Sequence, residues 1–228
     1  MTPAPQGFYG SDMSIRSRFF AATYDRFMQD AQEAGLAAMR QQLLADARGD
    51  VLEIGAGTGL NLAHYGSDVR TLTLTEPESP MLRRLERRAA ELAPEATVLR
   101  APAEDLPFED ASFDTVVSTL VLCGVDDQPR AVREIRRVLR PDGQFLFFEH
   151  LRSADPKIAR TQNRLNWLNR LVVCCDCNRP TLDTIREVGF DVQAEDTALP
   201  KAPPFARPAA CGTATYSPIL RSGLAASG

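Results

Sequence analysis

Short apolar segments alternate with amphipathic segments along the chain after residue 48. The apolar segments are rich in Val, Leu, Ile and Phe, which is typical of strands that are buried on both faces. The predicted strands are DVLEIG, VRTLTLTE, ATVLRA, FDTVVSTLVL and, after a Pro and Gly turn in RPDG, GQFLFFEH. Helices are predicted after GTGL and in SPMLRRLERRAAELA and QPRAVREIRRVL. This alternation predicts an α/β fold, a mostly parallel sheet with helices on both faces.

The two ends of the chain depart from this alternation. The N-terminal part carries apolar residues at helical spacing ahead of the first strand, which predicts two helices that form a cap. After a last helix, TLDTIREVGF, the segments DVQAED and ACGTATY are expected to complete the sheet as a final pair. The predicted organisation is one domain at 17–217, with a flexible N-terminus at 1–16, the cap at 17–47, a core at 48–150, an insertion at 151–180, the last helix and strand pair at 181–217, and a disordered tail at 218–228.

Three glycines follow the first predicted strand in the stretch EIGAGTG. Gly55, Gly57 and Gly59 stand at alternate positions, with Glu53 inside the strand before them. A dinucleotide fingerprint starting at Gly55 needs a glycine at position 60, which is Leu60 here. Glycine lets the backbone turn tightly and lets a ligand lie against it, and the N-terminal amides of a following helix favour a carboxylate. The loop therefore indicates a nucleotide-like ligand that carries a carboxylate.

A second anchor for such a ligand stands at the end of the next predicted strand. Glu76 ends VRTLTLTE, and a carboxylate at this edge can accept hydrogen bonds from both hydroxyls of a ribose. The alternative is a glycine turn with a solvated glutamate, but strand, turn, helix and acid in this order favour the ligand site.

Composition and charge exclude several classes of function. A net charge of -4 and a pI near 5.3 argue against a nucleic-acid partner. No apolar segment approaches the roughly 18 residues that a transmembrane helix needs, and the N-terminus lacks the features of a signal peptide. Five cysteines, an odd number, favour free thiols in a reducing compartment. We therefore expect a cytoplasmic protein without a transmembrane segment.

Several of these stretches together resemble one enzyme family. VLEIGAGTG, Glu76, AEDLPF, FDTVVSTLVLCGV and REIRRVLRPDGQFLFFEH are similar to class I S-adenosylmethionine-dependent methyltransferases. More narrowly, STLVLCGV, RRVLRPDG with FFEH, and CNRPTLDTI resemble the alkyl thiol methyltransferases of the methyltransferase-like group and their soluble bacterial relatives. The resemblance implies a Rossmann-like sheet of seven strands and S-adenosyl-L-methionine as cofactor. It also implies a small acceptor, a thiol, bound under the N-terminal cap.

The resemblance also implies where the cofactor lies. Its methionine is expected at the glycine loop with Glu53, its ribose on Glu76, and its adenine beside Ala103 and Glu104. Pro102 stands where many members have an acidic residue, so Glu104 is the candidate for the contact with the adenine amine. We also expect Thr119, in the fourth predicted strand, to contact the cofactor. The corresponding acceptor pocket differs from that of relatives with a histidine near the C-terminus, because this chain has Ala209 there.

Methyl transfer from a sulfonium is an in-line displacement, so the protein supplies alignment, exclusion of water and, where needed, a base. His150 ends the fifth strand on the functional edge of the sheet and is the predicted catalytic base. His64 is more typical of a packing or capping residue. Tyr24 can close over the cofactor with its ring near the positive sulfur, or it can be a core residue of the cap.

Cys174, Cys175 and Cys177 form a cluster that could bind a soft metal or arsenite. A structural zinc site needs four ligands, and the other cysteines lie on different predicted elements. Buried or pocket-lining thiols are therefore favoured, with no metal site.

Other functions fit the same sequence pattern. The core could methylate nitrogen, oxygen or carbon of an amine, a phospholipid or a secondary metabolite. Outside enzymes, the chain could be a regulator that binds the cofactor without turnover.

Overall fold

The computed structural model describes residues 24–26 and 28–216, without the side chains of residues 172 and 173. The predictions for 1–16 and 218–228, and part of that for the cap, lie outside these residues. The described segment has seven strands: β1 (Gly49–Ile54), β2 (Val69–Thr75), β3 (Thr97–Leu99), β4 (Phe113–Thr119), β5 (Leu139–His150), β6 (Phe190–Ala198) and β7 (Pro208–Tyr216). Its α-helices are α1 (Ala37–Leu44), α2 (Ser79–Leu92), α3 (Gln128–Val138), α4 (Pro156–Val173) and α5 (Thr181–Glu187).

All seven strands form one sheet in the order β3-β2-β1-β4-β5-β7-β6. Strands β1 to β5 pair in parallel, whereas β7 pairs antiparallel with both β5 and β6. The predicted α/β class and the mostly parallel, Rossmann-like sheet are confirmed. The last two strands complete the sheet as the sequence predicts.

Alternation along the strands decides which side chains face which layer of helices. On one face, a core of strand residues such as Leu52, Val116 and Phe147 packs against α3 and α5. On the other face, strand residues such as Val51 and Phe148 pack against the N-terminal helical segment; the residues of that segment in this cluster include Met28, Leu36, Leu43 and Leu44. Glu53, Thr119 and His150 share the register of the second face, so they lie on the side that the N-terminal segment covers.

The N-terminal helical segment is broken at one residue. Helical backbone at residues 28–31 continues into a π-helical turn, Gln32–Leu36, and then into α1. Gly35 interrupts it with φ 125°, a conformation that favours glycine. Within the described residues, the break separates the helical turns before Gly35 from α1.

Two local predictions are wrong. No α-helix follows the glycine loop, because only a 3₁₀ turn, Leu62–His64, forms before the chain becomes extended at Tyr65. The stretch RPDG is not a turn ahead of the fifth strand, because β5 already begins at Leu139. Pairing with β4 passes from Leu139 to Gln144, so RPDG forms a bulge within the strand.

Among the described residues, no helix combines the length and the apolar character needed to cross a membrane.

The core around Phe147 is expected to carry much of the stability. Phe147 is 0% exposed and packs beside Phe145, with ring centroids 5.5 Å apart. Replacing Phe147 with Ala should lower the free energy of unfolding by about 3–5 kcal/mol, through lost burial and a cavity. Leu92, which is 54% exposed, is the matched control, and Leu92→Ala should change it by less than about 0.5 kcal/mol. Denaturant unfolding measures the free energy of unfolding of both variants. Equal losses in the two variants would show that the residues around Phe147 are not a tightly packed core.

Candidate active site

The glycine loop, residues 55–59, connects the carboxyl end of β1 to the 3₁₀ turn. All three glycines have positive φ, at 56°, 61° and 82° for Gly55, Gly57 and Gly59. A β-carbon on Gly55 would come 2.6 Å from Val121, and one on Gly59 would come 2.7 Å from Leu62. A β-carbon on Gly57 would meet nothing closer than a carbonyl oxygen at 4.0 Å. Gly57 therefore presents bare backbone to open space, where a ligand can lie against it.

Glu76 ties the glycine loop to the end of β2. Its Oε2 accepts a hydrogen bond from the Gly57 N–H at 2.9 Å, and its Oε1 accepts one from the Glu78 N–H at 2.9 Å. Burial raises the pKa of this carboxyl to about 7, against the backbone hydrogen bonds, which lower it. A carboxylate has about four acceptor sites, so two remain for hydroxyl donors of a ligand.

Glu53, by contrast, is occupied by partners within the protein. Its Oε1 accepts from Asn61 Nδ2 at 2.9 Å, and its Oε2 accepts from the Tyr65 hydroxyl at 2.6 Å. Burial raises the pKa of Glu53 to about 7. Glu53 thus holds in place the segment that follows the glycine loop, through its hydrogen bonds with Asn61 and Tyr65.

A buried arginine that the sequence analysis did not single out completes this polar cluster. Arg40, on α1, is 4% exposed and donates from Nη1 to Asn61 Oδ1 at 2.7 Å and to Thr119 Oγ1 at 2.9 Å. Asn61 Nδ2 also donates to Thr119 Oγ1 at 3.0 Å. Arg40 hydrogen-bonds no carboxylate in these contacts, and its Nε has no partner among the described residues. The sequence does contain a signal that Arg40 is buried, because this residue lies in the apolar stripe of Leu36, Leu43 and Leu44.

The N-terminal segment reaches the glycine loop through Asp25. Its Oδ1 accepts from the Thr58 hydroxyl at 2.5 Å, and its Oδ2 accepts from Arg88 Nη2 at 3.2 Å. Arg88 also donates to the Thr58 carbonyl at 3.0 Å. The neighbouring Tyr24 packs in the cluster on the covered face, where burial raises the pKa of its hydroxyl. The charge of Arg40 opposes this rise in the pKa, and that of Glu76 adds to it.

Ala103 and Glu104 lie in the loop after β3. Ala103 is buried in the core cluster beneath the sheet edge. Glu104 Oε1 accepts from the backbone N–H groups of Asp126 at 2.7 Å and Asp127 at 3.3 Å. Its buried Oε2 has no hydrogen-bond partner among the described residues. An orphan acceptor of this kind fits a donor on a ligand.

A carboxylate that the sequence prediction missed, Glu149, directly precedes His150 in β5 and points to the opposite face of the sheet. Glu149 is fully buried and accepts from Ser118 Oγ at 2.5 Å, from the Val121 N–H at 2.9 Å and from the Leu122 N–H at 3.1 Å. Burial raises the pKa of Glu149 to about 7. Glu149 therefore holds the loop after β4 against the end of β5.

The two histidines differ in their surroundings. His150 is buried, its ring lies beside the backbone carbonyls of Pro208 and Ala206, and its Nδ1 has no partner among the described residues. Burial lowers the pKa of His150 to about 4, so the ring is neutral at pH 7 but is a weak base. His64 lies on the 3₁₀ turn, and burial also lowers its pKa.

The buried cysteine cluster has different members from the cluster of neighbouring cysteines in the sequence. Cys175 and Cys177 are buried together with Cys123 from the loop after β4, and the Cys175 thiol contacts both of the others. Cys174 is exposed, and all five cysteines are free thiols. Within the described ranges, no three side chains of His, Cys, Asp or Glu have the arrangement of a metal site.

Known proteins share this architecture and parts of this sequence. Residues 52–147 match the family described as "Methyltransferase domain". Thiol S-methyltransferase TMT1B of Homo sapiens is 41% identical over 114 residues, which are 47% of this chain and 46% of that protein. The matched stretch thus spans less than half the length of that human relative.

Two further similarities extend over more of the chain. Phosphatidylethanolamine N-methyltransferase of Cereibacter sphaeroides is 30% identical over 148 residues, which are 61% of this chain and 72% of that protein. A solved SAM-dependent methyltransferase of Thermotoga maritima has a TM-score of 0.64 and 22% identity, and the match covers 88% of this chain and 99% of that one. The solved structure supports the fold, and the sequence relatives support the family.

The site fits the cofactor of that family. S-adenosylmethionine combines a ribose, an adenine with an amine donor, and a methionine carboxylate. Glu76 retains acceptor sites at the glycine loop, Glu104 Oε2 is an orphan acceptor, and Arg40 is a buried cation. The chain belongs to the S-adenosylmethionine-dependent methyltransferases, and S-adenosylmethionine is its cofactor.

Proposed function

We propose that the protein methylates the sulfur of a small thiol. The observation that carries this proposal is the 41% identity over 114 residues to a thiol S-methyltransferase. The second candidate is methylation of a nitrogen, because a phosphatidylethanolamine N-methyltransferase is 30% identical over 148 residues. Both acceptors would use the same cofactor site, so the residues that hold the cofactor do not distinguish them.

For the cofactor, we propose that its ribose binds Glu76 and its methionine lies against Gly57. The buried Arg40 hydrogen-bonds no carboxylate directly and reaches Glu53 only through Asn61, so in the proposal its charge also balances that of the methionine carboxylate. Glu104 Oε2 accepts from the adenine amine beside Ala103. Glu53 acts through Asn61 and Tyr65, since these residues occupy both of its oxygens.

Residues of the cap, which we assign to 17–47, cover this site in the proposal. Tyr24 and Thr119 lie near the reacting end of the cofactor, and Asp25 fastens the cover to Thr58 of the glycine loop. A cover held in this way excludes water and aligns the acceptor, which a displacement reaction requires. The division of the chain into cap, core and insertion stays a prediction.

The cofactor supplies an electrophilic methyl group, so the remaining question is how the thiol loses its proton. Ionising a thiol of pKa about 8.5 in water at pH 7 costs about 2 kcal/mol. Passing the same proton to an imidazole of pKa about 4 costs about 6 kcal/mol. Ionisation in solution is the cheaper route, so we propose that His150 lines the acceptor side as a neutral group and is not the base.

Glu76 provides the first test of the cofactor site. Glu76→Ala removes two charge-assisted hydrogen bonds to the ribose and should weaken S-adenosylhomocysteine binding at least tenfold, measured by calorimetry at pH 8. Wild-type affinity should also fall as the pH drops below about 7, where the carboxyl gains a proton and stops favouring hydroxyl donors. Glu91→Ala removes an exposed carboxylate from α2 and is the matched control. Unchanged affinity in Glu76→Ala would refute the ribose assignment.

The acceptor is tested by incubation with methyl-labelled cofactor and matched alkyl thiols, amines, phenols and phosphatidylethanolamine. We expect the label on sulfur, because a thiolate is the strongest nucleophile in this set at neutral pH. Label on nitrogen alone would favour the second candidate. Cofactor binding without any product across the set would instead indicate a regulator.

His150→Gln tests the route of the proton. Because the ring is neutral throughout pH 6–9, kcat/KM for a thiol should rise with thiol ionisation in both proteins and differ by less than about tenfold. A larger loss at pH 7 that shrinks as the pH rises would identify His150 as the base after all. Thermal unfolding of the variant controls for a loss of structure.

A further inference from the structure

Helix α4 carries polar amides on its inward face and exposes large apolar side chains on its outward face. Its inward face carries amides that fasten it to the neighbouring loops. Gln162 Nε2 donates to the carbonyls of Leu151 at 2.9 Å and Cys177 at 2.8 Å. Asn169 Nδ2 donates to the Cys175 carbonyl at 2.6 Å, and Asn166 Nδ2 donates to Asp176 Oδ1 at 2.7 Å.

The outward face carries the large apolar residues instead. Trp167 is 67% exposed, Leu171 is 52% exposed and Leu168 is 42% exposed. At about 100° per residue, the exposed stripe covers roughly a third of the helix circumference. It comprises Lys157, Arg160, Thr161, Arg164, Trp167, Leu168 and Leu171. Packing among the described residues leaves much of Trp167 and Leu168 exposed, and exposed apolar area of this kind is typical of a surface that binds something else.

The charge of α4 is opposite to that of the whole chain. The helix contains Lys157, Arg160, Arg164 and Arg170 and no acidic residue, whereas the chain has a net charge of -4. Arg170 turns away from the stripe towards Asp126 and Asp176, at 3.4 Å and 3.3 Å. The other three basic side chains form no ion pair within the described part of the chain. The stripe therefore joins unneutralised positive charge to exposed Trp and Leu.

We propose that the outward face of α4 docks on an anionic membrane surface. A helix with basic residues and Trp or Leu on one face lies in the plane of the lipid interface, with its apolar residues among the acyl chains. The basic residues are attracted to anionic headgroups, and Trp is favoured at the interface. A nucleic-acid partner fits less well, because the chain is acidic overall and aliphatic side chains offer nothing to the phosphate backbone.

The sequence supplies a site-specific probe, because Trp167 is the only tryptophan of the chain. The full-length protein is mixed with vesicles of phosphatidylglycerol and phosphatidylcholine, or of phosphatidylcholine alone, and tryptophan emission is recorded. We expect a shift to shorter wavelength and co-sedimentation with the anionic vesicles, both reduced by added salt. Zwitterionic vesicles should produce much weaker binding.

A charge-matched pair of variants locates the contact. The double variant Arg160→Gln and Arg164→Gln should partition about thirtyfold more weakly into anionic vesicles, since each basic residue contributes about fivefold. Arg83→Gln with Arg87→Gln removes the same charge from exposed positions of α2 and should bind like the wild type. Replacing Leu168 with Ser should reduce the emission shift while the salt dependence remains.

Several results would overturn the proposal. One is the absence of a shift with anionic vesicles, and another is an equal loss in both double variants. A Trp167 emission that is already blue-shifted without lipid would show that residues outside the described ranges or a second copy cover the stripe. A response to a single-stranded oligonucleotide but not to vesicles would assign the stripe to nucleic acid. Cofactor affinity, measured in parallel, separates these outcomes from a failure of the methyltransferase site.

Discussion

The glycine loop and the end of β2 are held together by a buried carboxylate that has to serve two purposes. Glu76 satisfies the N–H groups of Gly57 and Glu78, and the same two oxygens face the place proposed for a ribose. A buried carboxylate is costly unless its acceptor sites are used, so the backbone bonds keep the loop shaped before any ligand arrives. In the proposed site, the remaining acceptor capacity recognises the hydroxyl donors of the ribose. Loop geometry and the proposed ligand recognition thus depend on one side chain.

The carboxyl edge of the sheet repeats this arrangement at two other strands. Glu53 at β1 binds side chains that follow the glycine loop, and Glu149 at β5 binds the backbone after β4. Burial raises the pKa of each to about 7, so their protonation changes in the neutral range. Arg40 adds a buried positive charge to this arrangement, because it donates hydrogen bonds to Asn61 and Thr119. Hydrogen bonds to buried carboxyl groups therefore help to order the loops that form the candidate site.

Much of this arrangement could be predicted from the sequence because its signals are local. The strand and helix alternation gave the sheet, and the glycine spacing with Glu76 marked the loop and its partner. The helix predicted after the loop did not form, since Tyr65 becomes extended and its hydroxyl binds Glu53. Periodicity does not report a bond of this kind.

The roles of Arg40 and Glu149 were missed for a related reason. Their partners are distant in the sequence, as in the contact of Arg40 with Thr119, 79 residues away, and only the fold brings them together. A polar residue in an apolar stripe signals that a buried partner exists, but not which residue it is.

The position of β7 has a consequence for the synthesis of the chain. β7 comes last in the sequence of described strands, yet it lies inside the sheet, between β5 and β6. During synthesis from the N-terminus, β1 to β5 can pair as soon as they emerge, but β6 has no strand to join until residues 208–216 follow. Until then β5 presents an unpaired edge of backbone donors and acceptors, flanked by Phe147 and Phe148. The interval between the emergence of β5 and that of β7 is thus a period in which the nascent chain exposes an edge that can pair with other chains.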